Sequence, residues 1–432
     1  MSAWPDAPRG GGFVLRDASA PAALWPGALA GADIVRVDIA VADGAIRFVA
    51  PAGAGIAADW ASFPMAGGMV WPCFVDAHAH LECTQTWART PNPDGSFPGA
   101  LGAYLQDRER WTPQEVRARM EFALACAYAH GTRAIRTHLA PRHDTLELYW
   151  EVFRDARAAW AGRVDLQGAA LVSPDDVASD AALARICAVL RESGGVLGAF
   201  ATAAPDVEAS LARVFDAAER YGLALDFHAD ETSNAASRGL SHIARLAIAR
   251  RFARPILVGH CCSIALQPAD EIDRTLDLVA EAGLSIVSLP SCNLYLQDRQ
   301  PARTPRWRGV TLLHEMRARG VAVAIGGDNC RDPYYAYGDY DMLEVFRDAA
   351  RIAHLDHPFG DWPRAVTQTP STIVGAPRAG FAVGDPADFV LFRARTFNEL
   401  LARPQADRRL IRSGAFVEPA LPDYAALDAL TG

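Results

Sequence analysis

The sequence predicts an α/β protein, a (β/α)8 TIM-type barrel joined to a small β-sandwich domain formed by both chain ends. Three observations carry this. Residues 67–384 alternate apolar runs with amphipathic windows eight times over, the rhythm of a strand followed by a crossover helix. Residues 1–66 and 385–432 read instead as short strands broken by glycine and proline turns. The chain has 432 residues, half of them apolar, more than one average domain requires. A doubly wound open sheet is the competing architecture, and the eightfold count favours closure.

The N-terminal strands are expected in "FVLRDA", "IVRVDIAVADGAIRFVA" and "GAGIAADW", with Asp43-Gly44 turning a hairpin. The barrel strands are expected in "MVWPCFVDAH", "TRAIRTHLA", "RVDLQGAALV", "VLGAFAT", "LALDFHA", "RPILVGH", "LSIVSLP" and "VAVAIGGD". Helices fall at 113–130, 206–221, 236–252 and 338–353, the first opened by a Thr112-x-x-Glu115 capping box. "GDPADFVLFRA" and "RRLIRSGAFV" return the chain to the small β-domain.

Composition narrows the function. A net charge of −9 argues against a nucleic-acid or anionic-membrane surface. "MSAWPDAPRGGG" lacks the pattern of a secretory signal, and no apolar run reaches the length of a membrane span. Eight cysteines without a C-x-x-C pair suit a reduced, cytoplasmic protein. All 42 basic residues are arginine. That excludes a Schiff-base lysine, a P-loop lysine and a carbamylated lysine between two metals.

Barrel enzymes gather their chemistry where strands end. Here the first strand ends in His78 and His80, the second in His138, the fifth in His228, the sixth in His260 and the eighth in Asp328. His78 and His80, spaced i and i+2, point to one side of a strand. An isolated pair of this kind is more often a hydrogen-bonded strand end. With His228 and Asp328 converging, it reads as a metal site. Glu231, three residues past His228, is placed to move protons; its bland alternative is a solvated loop glutamate. His260 has a core reading as well, and His138 reads as packing or as support for the ligands. Asn329 offers a donor and an acceptor to a planar polar ligand, and Tyr334 and Tyr335 an aromatic wall.

These residues, with "FVDAHAHLECTQT", "RTHLA", "DFHADETSNAASR", "NLYLQDR…RGVTLLHEM" and "GGDNCRDPYYAYGDYDML", resemble the amidohydrolase superfamily in its bacterial cytosine deaminase branch. The resemblance implies one divalent metal ion (zinc or iron, with manganese also suited) held by His78, His80 and His228 with Asp328 beside it. It implies Glu231 as proton shuttle and His260 as the residue that polarises the water, with Asp328 and His260 accepting its proton. It also implies a homo-oligomer. Two departures bear on the substrate. "GAALVSPDD" carries Ser173 where the family places a glutamine, and Asn329 stands where a second aspartate is common. Ser173, Asn329 and Tyr334 are thus the candidate substrate contacts. The expected activity is metal-dependent hydrolytic deamination of a free amino-heterocycle, cytosine or a close analogue, releasing ammonia. The alternatives are a creatinine-, pterin- or aminotriazine-type ring, or a non-catalytic metal-binding homologue. "HLE" at 80–82 matches the start of the unrelated H-x-E zinc deaminases, but no P-C-x-x-C follows. Segment 290–310 is expected to cover the site.

Overall fold

The structure, a computed structural model, describes residues 4–8, 11–26, 31–55, 60–201 and 206–428. The barrel strands are β6 (Phe74–Ala79), β7 (Thr132–Leu139), β8 (Asp165–Val172), β9 (Val196–Ala201), β10 (Leu225–Ala229), β11 (Ile256–His260), β12 (Ser285–Ser288) and β13 (Ala322–Ile325). They follow β1–β5, defined below. All eight pair in parallel, in sequence order. The ring closes through a bridge between Ala79 and Asp328. There the Asp328 amide donates to the His78 carbonyl at 2.9 Å, and the His80 amide to the Asp328 carbonyl at 3.3 Å. The buried Asp76 carboxylate reinforces this seam, accepting from the amides of His78 at 3.1 Å and Gly327 at 3.1 and 3.2 Å.

Two four-stranded sheets make the smaller unit. One has the order β3-β2-β1-β4, with β1 at Gly12–Pro21, β2 at Ile34–Ala42, β3 at Ala45–Pro51 and β4 at Ala61–Pro64. The expected hairpin is present, with Asp43 and Gly44 both at positive φ. Of "GAGIAADW", residues 56–59 lie outside the described residues and residues 53–55 and 60 are not strand; β4 follows directly after it. The second sheet has the order β16-β15-β14-β5: β5 is Val70–Pro72, β14 Phe389–Leu391, β15 Arg409–Arg412 and β16 Ala415–Val417. Phe416 packs between the sheets, 5.2 Å from Phe13 and 4.8 Å from Phe63 by ring centroids.

The run 69–78, expected as one barrel strand, is two. Val70–Pro72 pairs antiparallel with β14, although it falls within the 67–384 span, and the barrel begins at Phe74. Pro72 has no amide hydrogen to extend a ladder, and the Cys73 amide turns to the Asp388 carbonyl at 2.9 Å. The helices are Pro113–Ala129, Val207–Tyr221, Gly239–Arg250 and Met342–Ala353 where they were expected. The capping box is half realised. Thr112 accepts from the Glu115 amide, while the Glu115 carboxylate instead engages Arg89 and Arg119. All eight cysteines are buried and unpaired. No helix among the described residues is long and apolar enough to cross a membrane.

Trp71 locks the two units together. Fully buried, it stands 6.0 Å from Phe74, 5.7 Å from Phe346 and 5.8 Å from Phe397. A second clamp fixes the chain after β6. Asp107, in the helix Phe97–Arg108, accepts from Arg89 Nε and Nη2 at 2.9 Å each, from Thr90 at 2.9 Å and from Trp111 at 2.8 Å. Burial pushes its carboxyl up, but the hydrogen bonds of Arg89, Trp111 and Arg110 outweigh that and hold it at about 2, below the ordinary 3.8.

Replacing Trp71 by alanine will cost about 3–5 kcal/mol of stability, read from the shift of a denaturant midpoint. The Asp107 value is depressed on folding, so its contribution is complete above the unfolded value and fades as pH falls through the folded one. The stability gap between wild type and Asp107→Asn will therefore be widest near neutrality and will close as pH falls from about 4 toward about 2, followed by melting temperature.

Candidate active site

Five histidines and Asp328 meet at the C-terminal mouth of the barrel. His78 lies in β6 and His80 directly past its end, two residues on, so both reach the same mouth. β10 delivers His228, β11 His260, and the turn after β13 Asp328. His78 Nε2 and His80 Nε2 lie 3.4 and 3.3 Å from Asp328 Oδ1, and His228 Nε2 lies 3.2 Å from His80 Nε2. The ligating atoms of His78, His80, His138 and His228 all fall within 4.8 Å of one another, as do those of His78, His260 and Asp328. Gly259 makes room for this, since a Cβ there would stand 2.9 Å from His78 Cε1.

The donor atoms fit a divalent cation. Both Asp328 oxygens and both His78 nitrogens are buried with no hydrogen-bond partner among the described residues. Buried polar atoms are normally satisfied, and a shared cation would satisfy several of these at once. Burial, with His138 next, pushes the His78 imidazole down to about 3, and burial also holds His228 well below its ordinary value. Both rings are therefore neutral at pH 7, as metal ligation requires. Burial raises the Asp328 carboxyl, but the His78 and His80 ring nitrogens at 3.4 and 3.3 Å outweigh it and leave the group well below the usual range. Imidazole and carboxylate donors suit zinc, iron or manganese.

Glu231 sits beside this centre, its Oε1 3.3 Å from His260 Nδ1 and 3.2 Å from Asn293 Nδ2. Burial, and after it the charge of Asp328, pushes its carboxyl well above the ordinary range. Asp230, His260 and Asp328 all adopt positive φ at 53°, 66° and 63°. A left-handed non-glycine residue costs about 1–2 kcal/mol, and these three sit where strands turn over into the mouth.

The remaining candidates have partners within the chain. The Ser173 hydroxyl donates to Asp176 at 2.7 Å and accepts from its amide at 3.2 Å, capping the helix Pro174–Ala178. The buried Asn329 donates its amide to Asp332 at 2.8 Å. The ring of Tyr334 packs 5.7 Å from Phe97 and 5.9 Å from Tyr104. Segment 290–310 opens with the helix Pro290–Leu296, which sends Asn293 into the site.

Some participants were missed or undervalued in the sequence. His138 belongs to the histidine cluster, its ring 4.1 Å from that of His78. Beneath it Asp226 lies 3.1 Å from His138 Nε2 and 2.8 Å from Arg136 Nη1, a buried column along the barrel axis. Arg136 precedes His138 by two residues, and Asp226 precedes His228 by two, so strand periodicity could have found both. Asn293 left no such signal.

The profile of the amidohydrolase family matches residues 176–418. A pterin deaminase of Rhizobium rhizogenes strain K84 is 48% identical over 432 residues, covering 98% of each chain. An N-isopropylammelide isopropyl amidohydrolase of Pseudomonas sp. strain ADP is 22% identical over 347 residues, covering 76% of this chain and 80% of that one. Among solved structures, the 5-methylcytosine deaminase of Klebsiella pneumoniae with bound 5-fluorocytosine superposes with a TM-score of 0.81. It is 21% identical, and the match covers 95% of this chain and 98% of that one. With a closed barrel, a buried His/Asp centre and a full-length relative at 48% identity, this chain belongs to the amidohydrolase family.

Proposed function

We propose that this chain is a metal-dependent deaminase of a pterin-type amino-heterocycle, with His78, His80, His228 and Asp328 as the ligands of one divalent ion. The observation that carries the substrate class is the 48% identity, across 98% of both chains, to a protein named as a pterin deaminase. The cytosine expectation has weaker support, since the 5-methylcytosine deaminase is a likeness of fold at 21% identity. The amide nitrogen of Asn329 is also already engaged by Asp332 and Cys83, and its carbonyl receives the Cys292 thiol at 3.9 Å, so it is not a free donor for a cytosine edge.

A divalent ion held there would lower the pKa of a water from about 15.7 to about 7, supplying a nucleophile at neutral pH. The protein side chains supply the rest. Asp328 accepts a proton from the attacking water, and His260 orients that water. Glu231, kept protonated by burial, gives its proton to the ring nitrogen beside the amine-bearing carbon and so makes that carbon electrophilic. The C–O bond forms as water adds, the C–N bond to the exocyclic nitrogen breaks, the proton taken by Asp328 leaves with ammonia, and the remaining hydroxyl proton returns to Glu231 as the C=O forms. The oxo-heterocycle remains.

The test is ammonia release by zinc-loaded protein from pterin, cytosine, 5-methylcytosine, isocytosine, creatinine and an aminotriazine. Pterin is the expected substrate; turnover of cytosine with pterin silent would overturn the assignment. Glu231→Gln will lower kcat by about 10²–10⁴-fold with zinc content unchanged by elemental analysis. His228→Ala will instead lose its zinc on dialysis and with it the melting-temperature increment that zinc gives the wild type.

A further inference from the structure

We propose that Asn293 is a positioning residue that keeps the proton of His260 on Nε2, so that His260 donates a hydrogen bond toward the reacting atoms rather than accepting a proton from them. Asn293 is completely buried in the helix Pro290–Leu296. Its Nδ2 lies 3.1 Å from His260 Nδ1 and 3.2 Å from Glu231 Oε1. Those two atoms are 3.3 Å from each other.

An amide NH2 carries two hydrogens and accepts nothing. Two acceptors facing each other at that separation repel unless a donor spans them, and the Asn293 amide is placed to span them. His260 Nδ1 is then an acceptor. A neutral imidazole has one proton, which must sit on Nε2. Nε2 is buried and meets no partner among the described residues, while a ring nitrogen of His260 shares a 4.8 Å cluster with His78 and Asp328. An N–H directed there can donate to the oxygen of the attacking water and, as the C–O bond forms, to the charge developing on it. The same amide occupies Glu231 Oε1, leaving Oε2 to carry the proton destined for the ring nitrogen. One side chain thereby sets the hydrogen-bonding sense of two others. The opposite arrangement has the amide turned over, with Oδ1 accepting from His260 Nδ1–H and from the Glu231 carboxyl.

The inference rests on the reading of Glu231 and His260 as the groups that orient water and move protons, but its first test needs no turnover. Zinc-loaded protein labelled with ¹⁵N-histidine is examined by long-range ¹H–¹⁵N correlation, with His260 assigned by its absence from the His260→Gln spectrum. The expected wild-type pattern is a protonated Nε2 and an unprotonated Nδ1. Asn293→Asp keeps the shape but replaces the donor by an acceptor, so the proton should move to Nδ1. Its kcat should fall about 10²–10³-fold, as for loss of one donor to a developing oxyanion, with KM within about threefold and zinc content unchanged. A wild-type His260 protonated on Nδ1, or an Asn293→Asp variant with wild-type turnover, would overturn the proposal. Should that variant fail to fold, the wild-type spectrum decides alone. A wild type that releases no ammonia from any compound would sink the functional reading and leave the tautomer result standing.

Discussion

The closure of the barrel at Asp328 is the constraint on which the rest depends. A parallel sheet becomes a barrel only if its last strand finds its first, and here the joint is made by main-chain bonds between Asp328 and residues 78 and 80. Those residues carry the side chains of the candidate metal centre. The side chain of Asp76 binds amides from both edges of the joint. Closing the fold and assembling the donor set are therefore one event, and their geometry cannot drift apart.

Around that joint two buried carboxyls are pushed in opposite directions. Asp328 and Glu231 are both buried, so desolvation alone would neutralise each. Asp328 escapes because the His78 and His80 ring nitrogens stand 3.4 and 3.3 Å from its Oδ1. For Glu231 the Asp328 charge adds to desolvation instead of opposing it. Carboxyls whose acidities are driven apart in this way can serve one site as acceptor and as donor at the same pH. Below them Arg136 pairs with the buried Asp226, which also approaches His138, so that carboxylate is compensated in place.

Much of this was legible in the sequence. His78, His80, His228, His260 and Asp328 announced themselves because strand ends in a barrel share one destination and polar residues there break long apolar runs. What was not legible depended on information outside a single run. The split at Cys73 follows from the partner strand β14, more than three hundred residues later. Ser173 offered a hydroxyl at the right strand end, but the acidic residue three positions on draws it into a helix cap. Asn293 sits in a helix of seven residues with no periodic signature, and its contacts are made entirely in three dimensions.

The joint spans 251 residues between Asp76 and Gly327. Contacts so far apart in the chain are slow to form, because the entropy of closing the intervening loop must be met before any bond rewards it. During synthesis the two histidines emerge early and wait for 248 further residues, more than half of the chain, before Asp328 follows. A growing chain thus holds imidazoles without their aspartate through most of its elongation, and the donor set is complete only when the barrel is.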